Sequence, residues 1–263
     1  MRQADARLPI LSVSGFPPGV GAVMTWRGSD PEPYGFNLAL HTGDEPERVR
    51  FRRAALSEWI QAEPVWLNQV HGKDVALLKD RSGTSTLESP TADASLSRDP
   101  GLACTVLVAD CLPVLMSLAS GEAVAAAHAG WRGLAAGVLE ASLDALAQGA
   151  PQRVVVAWLG PCIGPSHFEV GPDVLEAFGG LHGNQGRHFR PSPDRPDRWF
   201  ADLQGLAMTA MLRWSQQSAC RLEWAGPPGG CSVQDQERWF SYRRESRTGR
   251  MAACIWRENQ ESQ

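Results

Sequence analysis

The sequence predicts a single layered domain of mixed α/β class, with mixed β-sheets flanked by helices. Three observations predict it. Short, compact apolar runs crowd the centre of the chain at Leu102–Val108, Pro113–Leu118, Ala123–His128 and Val154–Leu159, and they suit buried strands. Two longer segments, Gly133–Gln148 and Asp202–Gln217, carry apolar residues at helical spacing. Strands and helices alternate without a strict strand–helix–strand repeat, and no heptad, internal repeat or linker divides the chain. Residues 1–263 are therefore read as one domain.

In chain order, Gly21–Arg27 reads as a strand and Gly28–Thr42, rich in Pro, Gly and Asn, as a loop. Glu45–Gln61 reads as a helix on Val49, Ala54, Leu56, Trp59 and Ile60. Pro64 resets the chain, and two short strands follow at Val65–Val70 and Asp74–Leu78. Arg81–Pro100 is polar and rich in Ser and Thr, so it reads as a long loop. The central strands come next, with Gly121 in the turn before the last of them, and then the Gly133–Gln148 helix. After the strand at Val154–Leu159, Pro172–Phe178 fits a short helix and Gly179–Arg198 a mobile loop. The Asp202–Gln217 helix and late strands at Arg221–Trp224 and Met251–Trp256 complete the chain.

Composition excludes several classes. A net charge of −4 without a long basic run argues against nucleic acid as a partner. No apolar run is long enough to span a bilayer, and the first residues lead into no signal-like stretch. The six Cys show neither C-x-x-C pairs nor the spacing of a secreted domain, which points to a cytoplasmic protein with free thiols. The ten Trp are read as core and pocket wall.

The chemistry-bearing residues sit at the ends of strand-like runs. His71 closes Trp66-Leu67-Asn68-Gln69-Val70-His71-Gly72, Cys111 follows Asp110, and His128 precedes Ala129-Gly130-Trp131-Arg132-Gly133. A lone His at a strand end is usually a hydrogen-bonded polar residue, and a lone Cys is often simply buried. Together, one thiolate and two imidazoles would form an open tetrahedral site, as in a catalytic zinc enzyme. Gln69, two residues before His71, is placed to face the same side. Asp110 beside the thiol needs a partner or a polar cavity. The turn after His128 has the form of an anion site, with Arg132 as a phosphate clamp, set against the plainer reading of tight packing and a solvated Arg. Arg243-Arg244 and Thr248-Gly249-Arg250 read as an electropositive rim, against a solvated loop. No spacing rule joins these residues into one site. Metalloprotease, nucleophile-elbow and Walker patterns are missing, as is the cytidine-deaminase signature.

Several segments carry a family resemblance: Asn37-Leu38 with His41-Thr42-Gly43-Asp44, Gln69-Val70-His71-Gly72, Ala92-Asp93-Ala94, and Ala109-Asp110-Cys111-Leu112-Pro113-Val114. His128-Ala129-Gly130-Trp131-Arg132-Gly133, Gly160-Pro161 with Ile163-Gly164, Phe168-Glu169-Val170-Gly171 and Phe240-Ser241-Tyr242-Arg243-Arg244 with Thr248-Gly249-Arg250 continue it, in order, almost to the end of the chain. The chain resembles the YfiH-like family, named variously multicopper polyphenol oxidase (laccase-like) and purine nucleoside phosphorylase. The resemblance implies a single α/β domain and zinc held by His71, Cys111 and His128. It also implies phosphorolysis of adenosine, inosine and methylthioadenosine, and hydrolytic deamination of adenosine. The family often has Asn-Arg late in the early helix; here Arg52-Arg53 stands there, so the Asn is lost and the Arg kept.

On that basis purine nucleosides and phosphate are the expected partners. Arg53, Arg132, Gln69 and Arg243 are the candidate substrate contacts, and Cys111, Asp110 and His128 the candidate catalytic residues. Asp110 serves either as a proton shuttle or as a support for one His. Three rivals are weighed. A copper-dependent oxidase fits one Cys with two His, but six His in the whole chain are few for a multicopper centre. A metal-free Cys-His amidase acting on peptidoglycan precursors would use Cys111 as nucleophile and His128 as base. A non-catalytic nucleoside-binding protein would bind without turnover.

Overall fold

A computed structural model describes residues 8–29, 33–79, 89–150 and 153–259. Its elements stack in four layers, helix, sheet, sheet, helix, and the chemistry lies where the two sheets open at one end. The outer helix α1 (Pro46–Ile60) starts on Pro46, whose missing N–H costs nothing in a first helical turn. It ends where Gln61 adopts a left-handed conformation. Its buried Leu56 and Ile60 pack with Val23, Ala103, Leu107, Ala252 and Trp256 on the outer face of a five-stranded sheet. That sheet runs β1 (Ile10–Ser12), β2 (Val20–Thr25), β14 (Met251–Arg257), β6 (Leu102–Val108), β3 (Glu63–Val65). The last strand of the chain is thus central, paired antiparallel to both β2 and β6.

The second sheet has six strands in the order β13 (Arg221–Trp224), β9 (Val154–Leu159), β7 (Leu112–Leu118), β8 (Val124–Ala129), β5 (Ala94–Ser97), β4 (Val75–Leu78). Alternation along its strands divides the core. In β8, Val124 and Ala126 face the five-stranded sheet. Ala125, Ala127 and Ala129 face the helices α2 (Trp131–Ala136), α3 (Val138–Ala147) and α5 (Leu203–Ser218). Small Ala side chains on that face let α3 lie close to the sheet. Asp202 caps α5 by accepting from the Gly205 N–H at 2.9 Å. A small third sheet, β10 (Glu169–Val170), β12 (Trp199–Ala201), β11 (Phe189–Pro191), lies beside α4 (Pro172–Ala177). The mixed layered α/β class expected from the sequence is the class observed.

Four local expectations are corrected. The strand expected over Val65–Val70 ends at Val65, because the chain leaves the five-stranded sheet there, carries His71 across, and joins the six-stranded sheet at Val75. The Gly133–Gln148 helix is two helices, since Gly137, at φ +94°, closes α2 and starts α3. The polar segment read as the Arg81–Pro100 loop contains β5; residues 81–88 of it lie outside the described part. The Gly179–Arg198 loop contains β11 and a 3₁₀ turn at Gly186–His188.

Candidate metal centre and cavity

Sheet register brings two of the three candidate ligands together. In the β7–β8 pair, Leu112 lies opposite Ala129 and Pro113 opposite His128, so Cys111, one step before β7, falls beside Gly130. Alternation points Cys111 and His128 to the same side, between the sheets. His71 arrives from the β3–β4 connection. The ligand atoms of His71, Cys111 and His128 all lie within 4.8 Å of one another, and Cys111 Sγ is 3.8 Å from His71 Nε2. The two imidazoles meet edge to face, with ring centres 4.8 Å apart. Tetrahedral zinc with one sulfur and two nitrogen ligands needs donor separations of about 3.3–3.8 Å. The observed separations, 3.8 Å for the Cys111–His71 pair and none above 4.8 Å, lie close to that spacing, and the donor set suits a borderline metal with one position left open.

The residue that organises the centre is Asp93, fully buried at the entry to β5. Its Oδ1 lies 2.8 Å from His128 Nδ1 and accepts the His71 N–H at 2.9 Å; its Oδ2 accepts the Gly72 N–H at 2.6 Å and the Val70 N–H at 3.1 Å. Burial alone would push this carboxyl up. The bonds from His128 and from the Gly72 and Val70 amides outweigh it and hold Asp93 below the ordinary carboxylate value. An ionised carboxylate only accepts, so His128 keeps its proton on Nδ1 and turns Nε2 toward Cys111. Ala92-Asp93-Ala94 stands among the segments that carry the family resemblance, but the sequence assigns Asp93 no role, because the polar segment around it reads as loop. The clue was an Asp between two Ala directly before a run that alternates Ala, Ser, Leu and Ser.

Electrostatics inside the triad favour a metal-ready sulfur. Burial would raise the Cys111 thiol, but His128 and His71 reverse this and bring it down to about 6. Burial would lower His128, whereas the Cys111 charge and the Asp93 bond raise it to about 9. Two neighbouring residues hold unusual backbone conformations: His71 at φ +61° and Asp110 at φ +90°. Neither is Gly, and each such position costs about 1–3 kcal/mol. Gly130 is required by space instead. A Cβ there would stand 3.0 Å from both Cys111 Sγ and His71 Cδ2, and one on Gly133 would stand 2.7 Å from the Gly72 carbonyl.

The triad forms part of the wall of a cavity of about 550 Å³, which His41, Gln69, Asp110, Tyr242, Arg243 and Arg250 also line. That volume falls in the range of small-molecule sites. Phe168, Trp131 and Leu203 supply apolar wall. Gln69 lies at the cavity, but both ends of its amide are committed to the backbone of Leu107, at 2.9 and 2.8 Å. It thereby ties the His71 segment to β6. Asp110 Oδ1 accepts from Ser232 Oγ and Oδ2 from the Arg243 N–H, each at 2.6 Å. The support of His128 therefore belongs to Asp93. Arg243 donates from Nη1 to the carbonyls of His167 and Glu169. Arg250 donates to the carbonyls of Thr248 and Gly249 and lies over the Tyr242 ring.

Arg53 and Arg132 do not line this cavity. Arg53 Nε donates to the Leu38 carbonyl at 2.8 Å, and the guanidinium stacks on Trp66. Burial, with Arg50, lowers Arg53 to about 10. Its charge is nonetheless felt at the cavity, since burial together with Arg250 and Arg53 lowers His41. Arg132 is exposed and stacks on Trp131. The Arg52 that stands where the family often has Asn is buried against Asp44 at 2.8 Å. Asp44 in turn accepts from Asn37, so this Arg joins a polar network behind the site.

The family model described as multi-copper polyphenol oxidoreductase laccase matches residues 21–258. The purine nucleoside phosphorylase PA4543 of Pseudomonas aeruginosa is 44% identical over 84% of this chain and 85% of its own length. The purine nucleoside phosphorylase YfiH of Escherichia coli K12 is 42% identical over 91% of this chain and 95% of its own. Among solved structures, Neisseria meningitidis protein NMB0706 superposes with a TM-score of 0.83 at 35% identity, over 95% of this chain and 100% of that one. YlmD of Geobacillus stearothermophilus gives 0.78 at 26% identity, over 92% and 93%. A chain matched over nearly its whole length by the family model and by such relatives belongs to the YfiH, or multi-copper polyphenol oxidoreductase laccase, family.

Proposed function

We propose that this protein is a zinc-dependent purine nucleoside enzyme that phosphorolyses adenosine, inosine and methylthioadenosine and hydrolytically deaminates adenosine. The observation that carries the reading is the His71–Cys111–His128 group, backed by Asp93, in the wall of a nucleoside-sized cavity that is also lined by Arg243 and Arg250. The names of the relatives at 44% and 42% identity supply the substrate class.

His71, Cys111 and His128 would hold the zinc, which when bound supplies a Lewis acid and a water of lowered pKa. Asp93 fixes the His128 ring so that Nε2 stays available. Phosphate is held against C1′ of the ribose by Arg243 and Arg250, where positioning and charge supply most of the effect. Arg53 acts at one remove, through His41, and Arg132 is an outer cation beside Trp131. Phe168 and Trp131 offer apolar faces to the purine. Asp110 moves the proton at the reacting end, and its bonds to Ser232 and the Arg243 amide fix the carboxylate in place.

A copper oxidase ranks second. One cluster of ligand-type residues is brought together among the described residues, and a multicopper centre calls for far more imidazoles than six His can place. The deciding experiment incubates metal-assayed protein with adenosine or inosine, with and without phosphate, and separates the products. Phosphate-dependent release of free base with ribose-1-phosphate, together with inosine and ammonia from adenosine, supports the proposal. A blue protein that oxidises phenols, or amide cleavage by metal-free protein, would replace it.

A further inference from the structure

A second cysteine–histidine pair lies just behind the cavity wall, outside the metal triad. Cys231 is partly exposed, and its sulfur accepts the Gly164 N–H at 3.2 Å and lies 3.5 Å from His167 Nδ1. Cys162 and Cys231 are direct partners of an isolated parallel bridge, held by Cys162 N–H to Gly230 O at 3.2 Å and Ser232 N–H to Cys162 O at 2.8 Å. Bridge partners of this kind project their side chains to the same side, and strand spacing of about 4.8 Å falls within the Cα separations a disulfide accepts. Both residues are free cysteines here.

We propose that Cys231 and Cys162 form a peroxide-sensitive thiol pair that closes to an intramolecular disulfide and thereby adjusts the cavity. Cys231 is the attacking sulfur, because it is the accessible one and has an N–H donor and an imidazole directed at it, the setting in which thiols react with oxidants. Cys162 is the resolving sulfur: it is buried beside the bridge, out of reach of peroxide, and burial pushes its thiol up, so it is not the first to react. The oxidant is hydrogen peroxide. Cys231 sulfur bonds to one peroxide oxygen, the O–O bond breaks, and the other oxygen leaves as water, giving a sulfenic acid. Cys162 sulfur then bonds to Cys231 sulfur, the S–O bond breaks, and the hydroxyl leaves as a second water with the Cys162 proton. The two thiols are oxidised by two electrons and the peroxide is reduced by two.

The coupling to the cavity runs through the residues next in sequence. Ile163, beside Cys162, lines the cavity and donates its N–H to the Asp110 carbonyl at 2.9 Å. Ser232, beside Cys231, donates to the Asp110 carboxylate at 2.6 Å. His167 accepts from Arg243 at its carbonyl. Drawing the two sulfurs together shifts both supports of Asp110 and the anchor of Arg243. This consequence for turnover rests on the proposed nucleoside activity; formation of the disulfide does not.

The test treats the zinc-loaded full chain with graded hydrogen peroxide, alkylates remaining thiols and maps peptides by mass. A Cys162–Cys231 linked peptide is expected before other thiols are lost, together with loss of nucleoside turnover that a dithiol reductant restores while zinc content stays constant. In Cys162→Ser, a sulfenic-acid probe labels Cys231 and no link forms; in Cys231→Ser neither event occurs and turnover resists peroxide. Full alkylation of both cysteines at peroxide levels that oxidise other thiols overturns the pair, as does Cys231 oxidation without linkage. A linked protein with unchanged turnover overturns the effect on the cavity. The peptide map is readable whether or not any nucleoside is turned over, so failure of the pair and failure of the nucleoside reading are distinguishable.

Discussion

Asp93 Oδ1 lies 2.8 Å from His128 Nδ1, and the same carboxylate accepts the backbone amides of Val70, His71 and Gly72. One buried side chain therefore orients one candidate ligand and holds in place the segment that carries another. His71 is exposed and sits in a left-handed conformation, which a free loop would not keep. The carboxylate compensates for that strain by satisfying three consecutive N–H groups.

Replacing Asp93 with Asn keeps the shape but reverses part of the hydrogen bonding. One amide nitrogen then faces either the His128 ring N–H or a backbone N–H, donor against donor. Zinc affinity is expected to fall by about 10–100-fold, the usual effect of losing a carboxylate behind a histidine ligand. Competition with a coloured chelator measures it. Unchanged affinity would show that Asp93 serves the loop alone, and thermal unfolding without metal would then carry the whole effect.

Cys111→Ala removes the only sulfur from the group. Metal content and turnover are expected to disappear together, while far-ultraviolet circular dichroism stays native, because the side chain lies at a strand entrance and not in the packed interior. Elemental analysis beside a product assay decides it. Full turnover with retained metal would remove Cys111 from the centre.

Gly130→Ala separates space from conformation. Gly130 has φ −65° and ψ 160°, which Ala adopts without strain. The added methyl meets Cys111 Sγ and His71 Cδ2 at 3.0 Å. Overpacking of this kind costs about 1–3 kcal/mol, and here it falls on two ligands. The expected result is a folded protein with weakened zinc binding and depressed turnover, whereas Gly19→Ala, whose Cβ meets nothing within 4 Å, should leave metal content unaffected.

Metal removal tests how far the centre is built in advance. The Asp93 network, the Gln69 clamp on Leu107 and the β7–β8 register are made by protein groups alone. Chelated protein is expected to stay folded and to regain activity on adding zinc. Bound zinc at about 1,000 times its Kd would add about 4 kcal/mol to stability by mass action. A calorimetric scan that shows unfolding on chelation would mean that the metal supports the fold itself.

The central strands and the three candidate ligands were legible because apolar runs and chemically distinctive residues mark themselves. Convergence of His71 on the other two was legible only through the family resemblance, since it depends on a backbone turn at φ +61° that no local pattern announces. β5 was hidden by its own composition: Ser95 and Ser97 are fully buried, so a strand buried on both faces looked like polar loop. Asp93, at its head, is visible in the Ala92-Asp93-Ala94 motif, but its role as the support of His128 is not. The helix break at Gly137 was also missed, because apolar spacing continues through it and only the positive φ divides α2 from α3. Among the cations, sequence ranked Arg53 and Arg132 beside Arg243, since reach into a cavity is a tertiary property.

Phosphate handling should follow that tertiary ranking. Arg243 and Arg250 line the cavity, whereas Arg132 stacks on Trp131 in the open. A hydrogen bond to a charged group is worth about 1.5–3 kcal/mol, so Arg243→Ala should raise the KM for phosphate by about 10–100-fold. The Arg243 amide that holds Asp110 is backbone and survives the substitution. Arg250→Lys retains charge but not the paired carbonyl contacts, and should raise the phosphate KM less than Arg250→Gln does. Arg132→Ala should change it by no more than about threefold, the scale of an exposed, screened charge. Steady-state assays with phosphate varied at saturating inosine separate these outcomes from a general loss of the site, which would lower kcat and zinc content as well. A phosphate KM that responds to Arg132 and not to Arg243 would move the anion to the turn after His128.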